Sequence, residues 1–296
     1  MQNKLIVILG PTASGKTALS IKLAKKFNGE VISADSRQVY KGMDIGSGKI
    51  TKKEMAGIPH YLLDVANPKT RFTVSQYQKL AQKAIDKIFK KNKLPIIVGG
   101  TGFYIQSIVA GIVIPEVKPD WKLRKKLSSQ PLSELVKQLT ALDPARAGNI
   151  DQNNPRRVLR ALEIVLKTGL TIPALKAGKR GFDTFQIGIK KSPNELKKLI
   201  HKRLLARLKN NEMINEVKKL HKNGVSWKRL EEFGLEYRYV AYYLQNKIIF
   251  EEMLNKIQKE SEHFAKHQMT WFKRDERIKW IKNYKEAEKL VKNFIK

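Results

Sequence analysis

The sequence Leu5-Ile-Val-Ile-Leu-Gly10-Pro-Thr-Ala-Ser-Gly15-Lys16-Thr17 decides how this chain begins to fold. Residues 5–9 are all apolar, which predicts a buried strand. Residues 17–27 repeat apolar side chains at every fourth position and therefore predict a helix with one buried face. A strand, a glycine-rich loop and a helix in this order are typical of the start of an α/β domain.

The loop between that strand and that helix matches the phosphate-binding P-loop pattern at every fixed position. It consists of Gly10, Pro11, Thr12, Ala13, Ser14, Gly15, Lys16 and Thr17. The glycines let backbone N–H groups converge on phosphate oxygens, and the helix N-terminus adds positive potential. Lys16 contributes a point charge, and the Thr17 hydroxyl is a ligand for Mg²⁺. The loop predicts an enzyme that handles a diphosphate or triphosphate, and it leaves open whether a nucleoside is attached.

Strands and helices alternate through most of the chain. The predicted strands cover residues 30–34, 61–64, 95–98, 185–189 and 278–281. The predicted helices cover residues 73–89, 196–208, 213–220 and 250–272. The first of these helices begins with a capping pair, Thr73 and Gln76. The alternation predicts the α/β fold class, with a P-loop NTPase-like parallel sheet flanked by helices on both faces.

Residues 115–182 differ from the rest of the chain because their helical patterns have no strand between them. These helices are predicted at residues 121–127, 132–142 and 156–167. Between residues 115 and 180 the segment holds 14 basic and 6 acidic residues. We predict an all-helical insertion domain at 115–182 between two parts of a P-loop catalytic core, 1–114 and 183–296.

The net charge of +32, from 59 basic and 27 acidic residues, favours a polyanionic partner such as nucleic acid. Most of the basic residues are lysines, however, and codon bias produces the same composition. The charge by itself leaves both explanations open.

The composition also excludes several kinds of site. The chain has no cysteine, which excludes disulfides and thiolate metal sites and fits a cytoplasmic protein. The apolar stretch at residues 94–115 is about as long as a membrane span, but glycines interrupt it in the middle. We expect a strand, a turn and a helix there, and no association with a membrane.

Two aspartates at the ends of predicted strands are candidates for an acidic group that holds metal or acts as a general base. Asp35 follows the strand at 30–34, and Asp64 ends the strand at 61–64. An exposed or capping aspartate is an equally good explanation for either. The turn Gly99-Gly-Thr101-Gly102 allows close approach to a ligand, and Thr101 offers a hydroxyl donor, although a packing turn explains the same glycines.

Five segments together resemble the tRNA dimethylallyltransferases, which are also called isopentenyl-tRNA transferases. They are the P-loop, Asp35-Ser-Arg-Gln-Val-Tyr-Lys-Gly-Met-Asp-Ile-Gly46, Ile97-Val-Gly-Gly-Thr-Gly-Phe-Tyr104, Asn154-Pro-Arg-Arg-Val-Leu-Arg-Ala-Leu-Glu163 and Ala265-Lys-His-Gln-Met-Thr-Trp-Phe272. The resemblance runs in order from residue 5 to about residue 281. The segment Gly46-Ser-Gly-Lys49 departs from the family's usual Gly-Thr-Ala-Lys.

The resemblance implies transfer of a dimethylallyl group from dimethylallyl diphosphate to N6 of adenosine 37, beside the tRNA anticodon. It implies that Asp35 accepts the N6 proton and that Thr101 and Arg203 contact the diphosphate, which Mg²⁺ on Thr17 helps to neutralise. The implied tRNA contacts are Asp35, Ser36, Arg37, Gln38, Thr101, Arg156, Arg157 and Arg160. The insertion is expected to bind the anticodon stem-loop, and the protein is expected to be a monomer.

A basic stripe is predicted on the helix at 250–272 and just beyond it. Its members recur at helical spacing and are Lys259, His263, Lys266, Thr270 and Lys273. RNA phosphates are one partner for such a stripe, and a solvated helix face is an equally good explanation.

Three other functions compete with tRNA prenylation. Prenyl transfer to a free adenine nucleotide uses the same P-loop, but a free nucleotide needs no basic insertion. A P-loop small-molecule kinase or an RNA-stimulated ATPase predicts tight ATP binding. A non-enzymatic RNA-binding protein does not explain an intact P-loop.

Overall fold

The structure is a computed structural model that describes residues 3–112, 117–171 and 181–296. The chain divides into two compact units, which we call the core, Met1–Val109 with Arg180–Lys296, and the insertion, Ala110–Lys179. The predicted boundary between residues 114 and 115 lies outside the described residues. The predicted boundary between residues 182 and 183 lies just inside the second core segment.

The core is built on a six-stranded sheet. The strands are β1 Lys4–Leu9, β2 Gly29–Ala34, β3 His60–Tyr61, β4 Leu94–Gly99, β5 Asp183–Ile189 and β6 Lys279–Ile281. Their order across the sheet is β3-β2-β4-β1-β5-β6, and every pair of neighbours is parallel. The predicted α/β fold with a parallel sheet is therefore confirmed. The carboxyl ends of β1, β2 and β4 meet at one edge, where open sheets of this kind bind ligands.

Helices and strands alternate as far as residue 109. After that the helices come in consecutive groups, which β5 and β6 separate. In chain order they are α1 Lys16–Lys26, α2 Lys52–Met55, α3 Val74–Phe89, α4 Gly102–Val109, α5 Trp121–Ser128, α6 Leu132–Leu142, α7 Pro144–Asn149, α8 Pro155–Thr168, α9 Pro193–Leu208, α10 Glu212–Lys222, α11 Trp227–Phe233, α12 Leu235–Leu244, α13 Phe250–Phe272 and α14 Tyr284–Ile295. None of the helices in the described residues is both long and apolar enough to cross a membrane.

The sheet is covered on both faces because successive strand residues point in opposite directions. Leu5 and Val7 of β1 are fully buried in a cluster with α3 and α4, whereas Ile6 and Ile8 are buried in a cluster with α1 and α14. Apolar side chains of α9 to α13 form a further cluster with residues 39–43. This cluster holds the segment after β2 against the helices of the second core segment.

Most predicted elements are observed with ends that differ by a few residues, and the differences have local causes. The Thr73–Gln76 capping pair starts α3, as predicted. The strand predicted at 61–64 is wrong beyond Tyr61, because Leu62 and Asp64 have φ values of 64° and 57°, in the left-handed region rather than the extended one. Helices α2 and α7 are too short to show a sequence repeat.

The insertion has a small core of its own. Helices α5, α6 and α8, which the sequence predicts, pack with the unpredicted α7 around buried apolar side chains. These include Leu127, Leu135, Leu139, Val158 and Leu162. Because these helices share an apolar cluster of their own, the insertion forms a separate compact unit.

Candidate active site

A cavity of about 1050 Å³ lies where the carboxyl ends of β1, β2 and β4 meet. Its wall includes P-loop residues 12–17, Asp35 and Gln38 from the segment after β2, Gly99 and Gly100 at the end of β4, and Arg203 from α9. A smaller cavity of about 420 Å³ beside Gly102 and Trp271 contains none of the predicted site residues. The structure thus brings residues that are far apart in sequence to one cavity.

The P-loop is arranged to receive an anion. Gly15, with φ of 92°, precedes α1, and no side chain caps the N-terminus of that helix. Lys16 Nζ donates to the carbonyl oxygens of Gly10, at 3.0 Å, and Pro11, at 2.6 Å. Ser14 Oγ is buried without a hydrogen-bond partner in the described residues. Because a buried hydroxyl without a partner is costly, it suits a ligand oxygen in the cavity.

Burial is the main cause that lowers the pKa of Lys16, the Asp35 carboxylate opposes it and the nearby charge of Arg203 adds to it, and the net pKa is about 8. A bound diphosphate would reverse this shift, because its negative charge stabilises the protonated amine.

Asp35 lies directly after β2 and is held by the turn that it starts. Its Oδ1 accepts hydrogen bonds from the backbone N–H groups of Arg37, at 2.8 Å, and Gln38, at 3.3 Å. The turn leaves Oδ2 as the oxygen that can accept a proton. The alternative acidic candidate, Asp64, instead accepts a hydrogen bond from Lys49 Nζ at 2.6 Å, and half of its side chain is exposed.

Thr101 joins the turn after β4 to the Asp35 segment. Its Oγ1 accepts from the backbone N–H of Ser36 at 3.0 Å, and its own N–H donates to the Ala34 carbonyl at 3.1 Å. The hydroxyl hydrogen of Thr101 is not used in either bond and can be donated to an anion. Thr101 and Asp35, which the resemblance groups together, are therefore held by one set of hydrogen bonds.

Arg203 approaches the cavity from α9. Its Nη2 donates to the Gly48 carbonyl at 3.0 Å, and Arg207, one turn later, donates to the Gly46 carbonyl at 3.0 Å and to Glu236 at 2.7 Å. Burial, together with the charge of Arg207, lowers the pKa of Arg203 to about 10 against the opposing charge of Glu236. The two neighbouring guanidinium groups repel each other, and a bound anion would offset that repulsion. This part of the cavity therefore suits an anion.

Residues 44–49, which include the four residues that depart from the family pattern, are held by a residue that sequence reasoning missed. The carboxylate of Glu216 on α10 accepts from the backbone N–H groups of Asp44, at 2.7 Å, Ile45, at 2.6 Å, and Gly46, at 3.0 Å. These bonds fix the loop whose carbonyls hold Arg203 and Arg207. No local sequence signal marks Glu216, because its partners lie about 170 residues earlier.

The cavity also has an apolar part. It is lined by Ile21, Val31, Ile45, Ile50, Leu63, Val98, Leu199 and Phe264. A phosphate grip next to apolar side chains suits a ligand with an anionic head and a hydrocarbon group.

Arg37, a predicted tRNA contact, packs against an aromatic ring. Its guanidinium carbon lies 5.9 Å from the ring centre of Phe233, and burial lowers its pKa. Arg37 and Ser36 follow Asp35 in the same turn, and of the predicted residues after β2 only Asp35 and Gln38 line the cavity.

The three predicted arginines of the insertion lie on α8 and differ in their surroundings. Arg156 and Arg157 are exposed, and Arg157 makes one long ion pair, 3.8 Å, with Asp151. Arg160 is bound within the insertion, to Glu163 and to the Val117 carbonyl. Arg156 and Arg157 are thus the accessible members of the set.

Glu163 is fully buried and organises the insertion. Arg124 donates to both of its carboxylate oxygens, at 2.8 and 2.7 Å, and the Asp120 N–H donates at 2.6 Å. Burial raises the pKa of Glu163, but the bonds from Arg124, Asp120 and Arg160 outweigh it, so that the pKa is lowered. The negative charge of Glu163 accounts for the position of Arg160.

The donor set for a metal ion is small. In the described residues no group of histidine, aspartate and glutamate side chains could hold a metal ion by itself. Thr17 lines the cavity and offers a hydroxyl oxygen. This set fits Mg²⁺, which takes few protein ligands and binds largely through substrate phosphates and water.

The predicted basic stripe is exposed along the end of α13 and just beyond it. Lys259, His263, Lys266, Thr270 and Lys273 are all exposed. Phe264, between them in sequence, is also partly exposed and lines the cavity. The stripe therefore faces solvent along its length, and Lys259, Lys266 and Lys273 supply its positive charge.

Comparison with known families agrees with this geometry. The model of the IPP transferase family matches residues 38–275. The match begins after the P-loop and Asp35. These two features therefore support the family assignment independently of the match.

Full-length relatives extend the similarity over the whole chain. The chain is 41% identical to a tRNA dimethylallyltransferase of Thermoanaerobacter sp. strain X514, over 100% of this chain and 98% of the relative. It is 38% identical to a tRNA dimethylallyltransferase of Halothermothrix orenii, over 98% of this chain and 93% of the relative.

Solved structures are similar as well. A tRNA isopentenylpyrophosphate transferase from Bacillus halodurans matches with a TM-score of 0.73 and 35% identity, over 99% of this chain and 96% of that chain. A eukaryotic dimethylallyltransferase acting on tRNA matches with a TM-score of 0.79 and 30% identity, over 91% of this chain and 69% of that chain.

Proposed function

The chain belongs to the IPP transferase family, and from that premise we propose that it transfers a dimethylallyl group from dimethylallyl diphosphate to N6 of adenosine 37 in tRNA. The observation that carries the proposal is one cavity in which a P-loop, an aspartate and a half-buried arginine face apolar side chains. The P-loop binds the diphosphate, and the apolar wall receives the five-carbon group. Relatives that are named for this activity support the same conclusion.

The reaction exchanges one bond for another. The N6 nitrogen forms a bond to C1 of the dimethylallyl group, and the bond between C1 and the diphosphate oxygen breaks. The proton of N6 passes to Asp35, whose Oδ1 is held by two backbone N–H groups so that Oδ2 is presented to the amine. The diphosphate leaves with the bonding electrons.

The leaving diphosphate is stabilised by groups that lie in place before the reaction. Lys16, the Ser14 hydroxyl and the N-terminus of α1 face its oxygens, and Arg203 approaches from α9. Thr101 follows Gly100 of the cavity wall, and we propose that it donates its hydroxyl hydrogen to the diphosphate. Preorganised donors of this kind stabilise charge that develops in the transition state. Mg²⁺ on Thr17 would supply further neutralisation of the diphosphate charge.

The acceptor base must leave its stack to reach this cavity. Adenosine 37 lies in a single-stranded loop, where unstacking costs a few kcal/mol. We propose that the turn Asp35 to Gln38 contacts the extruded nucleotide and that Arg156 and Arg157 contact phosphates of the anticodon stem-loop. Arg160 supports that surface through Glu163 rather than by free charge.

The proposed reaction belongs to the cytoplasm, where tRNA is used. We also propose that the protein acts as a monomer.

The decisive experiment is mass spectrometry of nucleosides from tRNA incubated with the protein, Mg²⁺ and dimethylallyl diphosphate. The expected product is N6-(dimethylallyl)adenosine at position 37, absent when A37 is replaced by G. The same reaction with AMP in place of tRNA tests free-nucleotide prenylation. Product from AMP but none from tRNA would contradict the proposal.

The kinase or ATPase alternative is tested with the same preparation. We expect release of diphosphate from dimethylallyl diphosphate, and no tRNA-stimulated release of ADP or orthophosphate from ATP. Tight ATP binding with tRNA-stimulated hydrolysis would favour the alternative.

A further inference from the structure

The side chain of Gln268 on α13 connects two of the loops that form the cavity. It is nearly fully buried and lines the cavity wall. Its Oε1 accepts from the backbone N–H of Thr12 in the P-loop at 2.8 Å, and its Nε2 donates to the carbonyl of Gly100 after β4 at 2.8 Å. Since Thr12 offers a donor and Gly100 an acceptor, only one orientation of the carboxamide satisfies both.

The backbone around Gly100 leaves room for this contact only because the residue is glycine. A Cβ atom at Gly100 would lie 2.2 Å from Nε2 of Gln268, and one at Gly102 would lie 2.3 Å from the Trp271 ring. Two side chains of α13, one turn apart, thus rest directly on this turn. The sequence left open whether the glycines of this turn serve a ligand or serve packing. The close approach of α13 explains Gly100 and Gly102 by packing.

The bridge made by Gln268 continues to the proposed base. Gly100 precedes Thr101, whose Oγ1 accepts from the N–H of Ser36, next to Asp35. Hydrogen bonds therefore connect the P-loop to Gln268, Gln268 to Gly100, and Thr101 to the Asp35 turn, and the peptide bond between Gly100 and Thr101 completes this chain. The groups that bind the diphosphate and the group that accepts the proton lie on different loops, and this chain fixes their separation.

We infer that Gln268 is a positioning residue for prenyl transfer, which sets the distance between the diphosphate-binding loop and the Asp35–Thr101 pair. This role rests on the proposed function. Each loop keeps its own ligand contacts without Gln268, because the P-loop and the Asp35 turn are closed by local bonds. What is lost is their alignment, and a misplacement of about 1 Å costs on the order of 100-fold in rate.

The test replaces the carboxamide with an apolar group of similar length, Gln268→Met. We expect kcat to fall about 100-fold, with little change in KM for tRNA or in the affinity for inorganic diphosphate measured by calorimetry. The matched control is Gln258→Met on the same helix, where the carboxamide bonds to Glu262 and Lys197, outside both loops. The control should retain wild-type kcat.

A second variant covers the case in which Gln268→Met does not fold. In Gln268→Glu the side chain keeps its shape and its acceptor for Thr12, but an ionised carboxylate cannot donate to Gly100. As for Gln268→Met, we expect kcat to be reduced while the affinity for diphosphate is maintained.

Three outcomes overturn the role. They are a normal kcat in a folded variant, a parallel loss of kcat and diphosphate affinity in a variant that keeps the wild-type Tm, and an equal loss of kcat in the Gln258→Met control. A wild-type protein that does not prenylate tRNA refutes the proposed function and this role together. An active wild type with an equally active Gln268 variant refutes only the role.

Discussion

The cavity of the core and the arginine surface of the insertion use positive charge in opposite ways. In the cavity Lys16 and Arg203 are desolvated and held by backbone carbonyls, and their pKa values are lowered as a result. On the insertion Arg156 and Arg157 are exposed. Desolvated, fixed charges act on a developing charge at a defined point, whereas exposed charges attract a polyanion over a wide area. Substitutions in the cavity should therefore change the rate, and substitutions on the surface should change binding and its salt dependence.

The largest effect is expected at Asp35. Asp35→Ala removes the base and should reduce prenyl transfer by at least ~100-fold, with little change in diphosphate affinity. Asp35→Asn keeps an oxygen for the Arg37 and Gln38 N–H groups, so it separates loss of the base from loss of the turn. Single-turnover transfer to tRNA is the measurement.

Asp64→Asn is the matched control for Asp35, because Asp64 is the other predicted acidic candidate but pairs with Lys49. It should lower the rate far less than Asp35→Asn does. Near-normal transfer by both Asp35 variants would refute the role of Asp35 as the base.

The lowered pKa of Lys16 predicts a pH effect on binding in the cavity. Below about pH 8 the amine is protonated and binds diphosphate fully; above it the neutral amine loses its charge, and affinity should fall by up to tenfold per pH unit. Calorimetry with inorganic diphosphate between about pH 6.5 and about pH 9.5 measures this fall. Lys16→Arg keeps its charge over the range, so the ratio of the two affinities removes the titration of diphosphate itself. A constant ratio would contradict the prediction.

A smaller effect is expected on the insertion. Replacing Arg156 and Arg157 with alanine should weaken tRNA binding about tenfold and reduce the slope of log K against log salt by roughly 1.5, with kcat at saturating tRNA unchanged. The control removes the same charge elsewhere on the insertion, with Lys125→Ala and Lys126→Ala on α5. If both pairs weaken binding equally, the surface acts by net charge and not by contacts at α8.

The smallest effect is expected along the basic stripe of α13. Replacing Lys266 and Lys273 together should flatten the salt dependence of tRNA binding by about one unit of slope, with a modest loss of affinity. Lys285 and Lys289 on α14 are exposed lysines outside the stripe and provide the control pair. An unchanged salt slope in the Lys266 and Lys273 variant would assign the stripe to ordinary solvated surface.

Features that depend on neighbouring residues are predictable from the sequence of this protein. The buried β1 strand, the P-loop and the Thr73–Gln76 cap each involve residues within a few positions of one another, and all are observed. The helix at 250–272 is observed with the predicted ends because its periodicity extends over many turns. The strand predicted at 61–64 fails because apolar residues alone do not specify the left-handed backbone of Leu62 and Asp64.

Tertiary structure decided the contacts that shape the cavity. The backbone of residues 44–46 meets Glu216, and Thr12 meets Gln268, at separations of about 170 and of 256 residues. It also decided that Arg160 is bound to Glu163 while Arg156 and Arg157 remain exposed. By itself the sequence determined the parallel α/β fold, the phosphate-binding loop and the candidate base, because local backbone preferences and short-range hydrogen bonds specify them. The separation of those groups was decided only when packing of α10 and α13 brought distant polar side chains to the backbone of the loops.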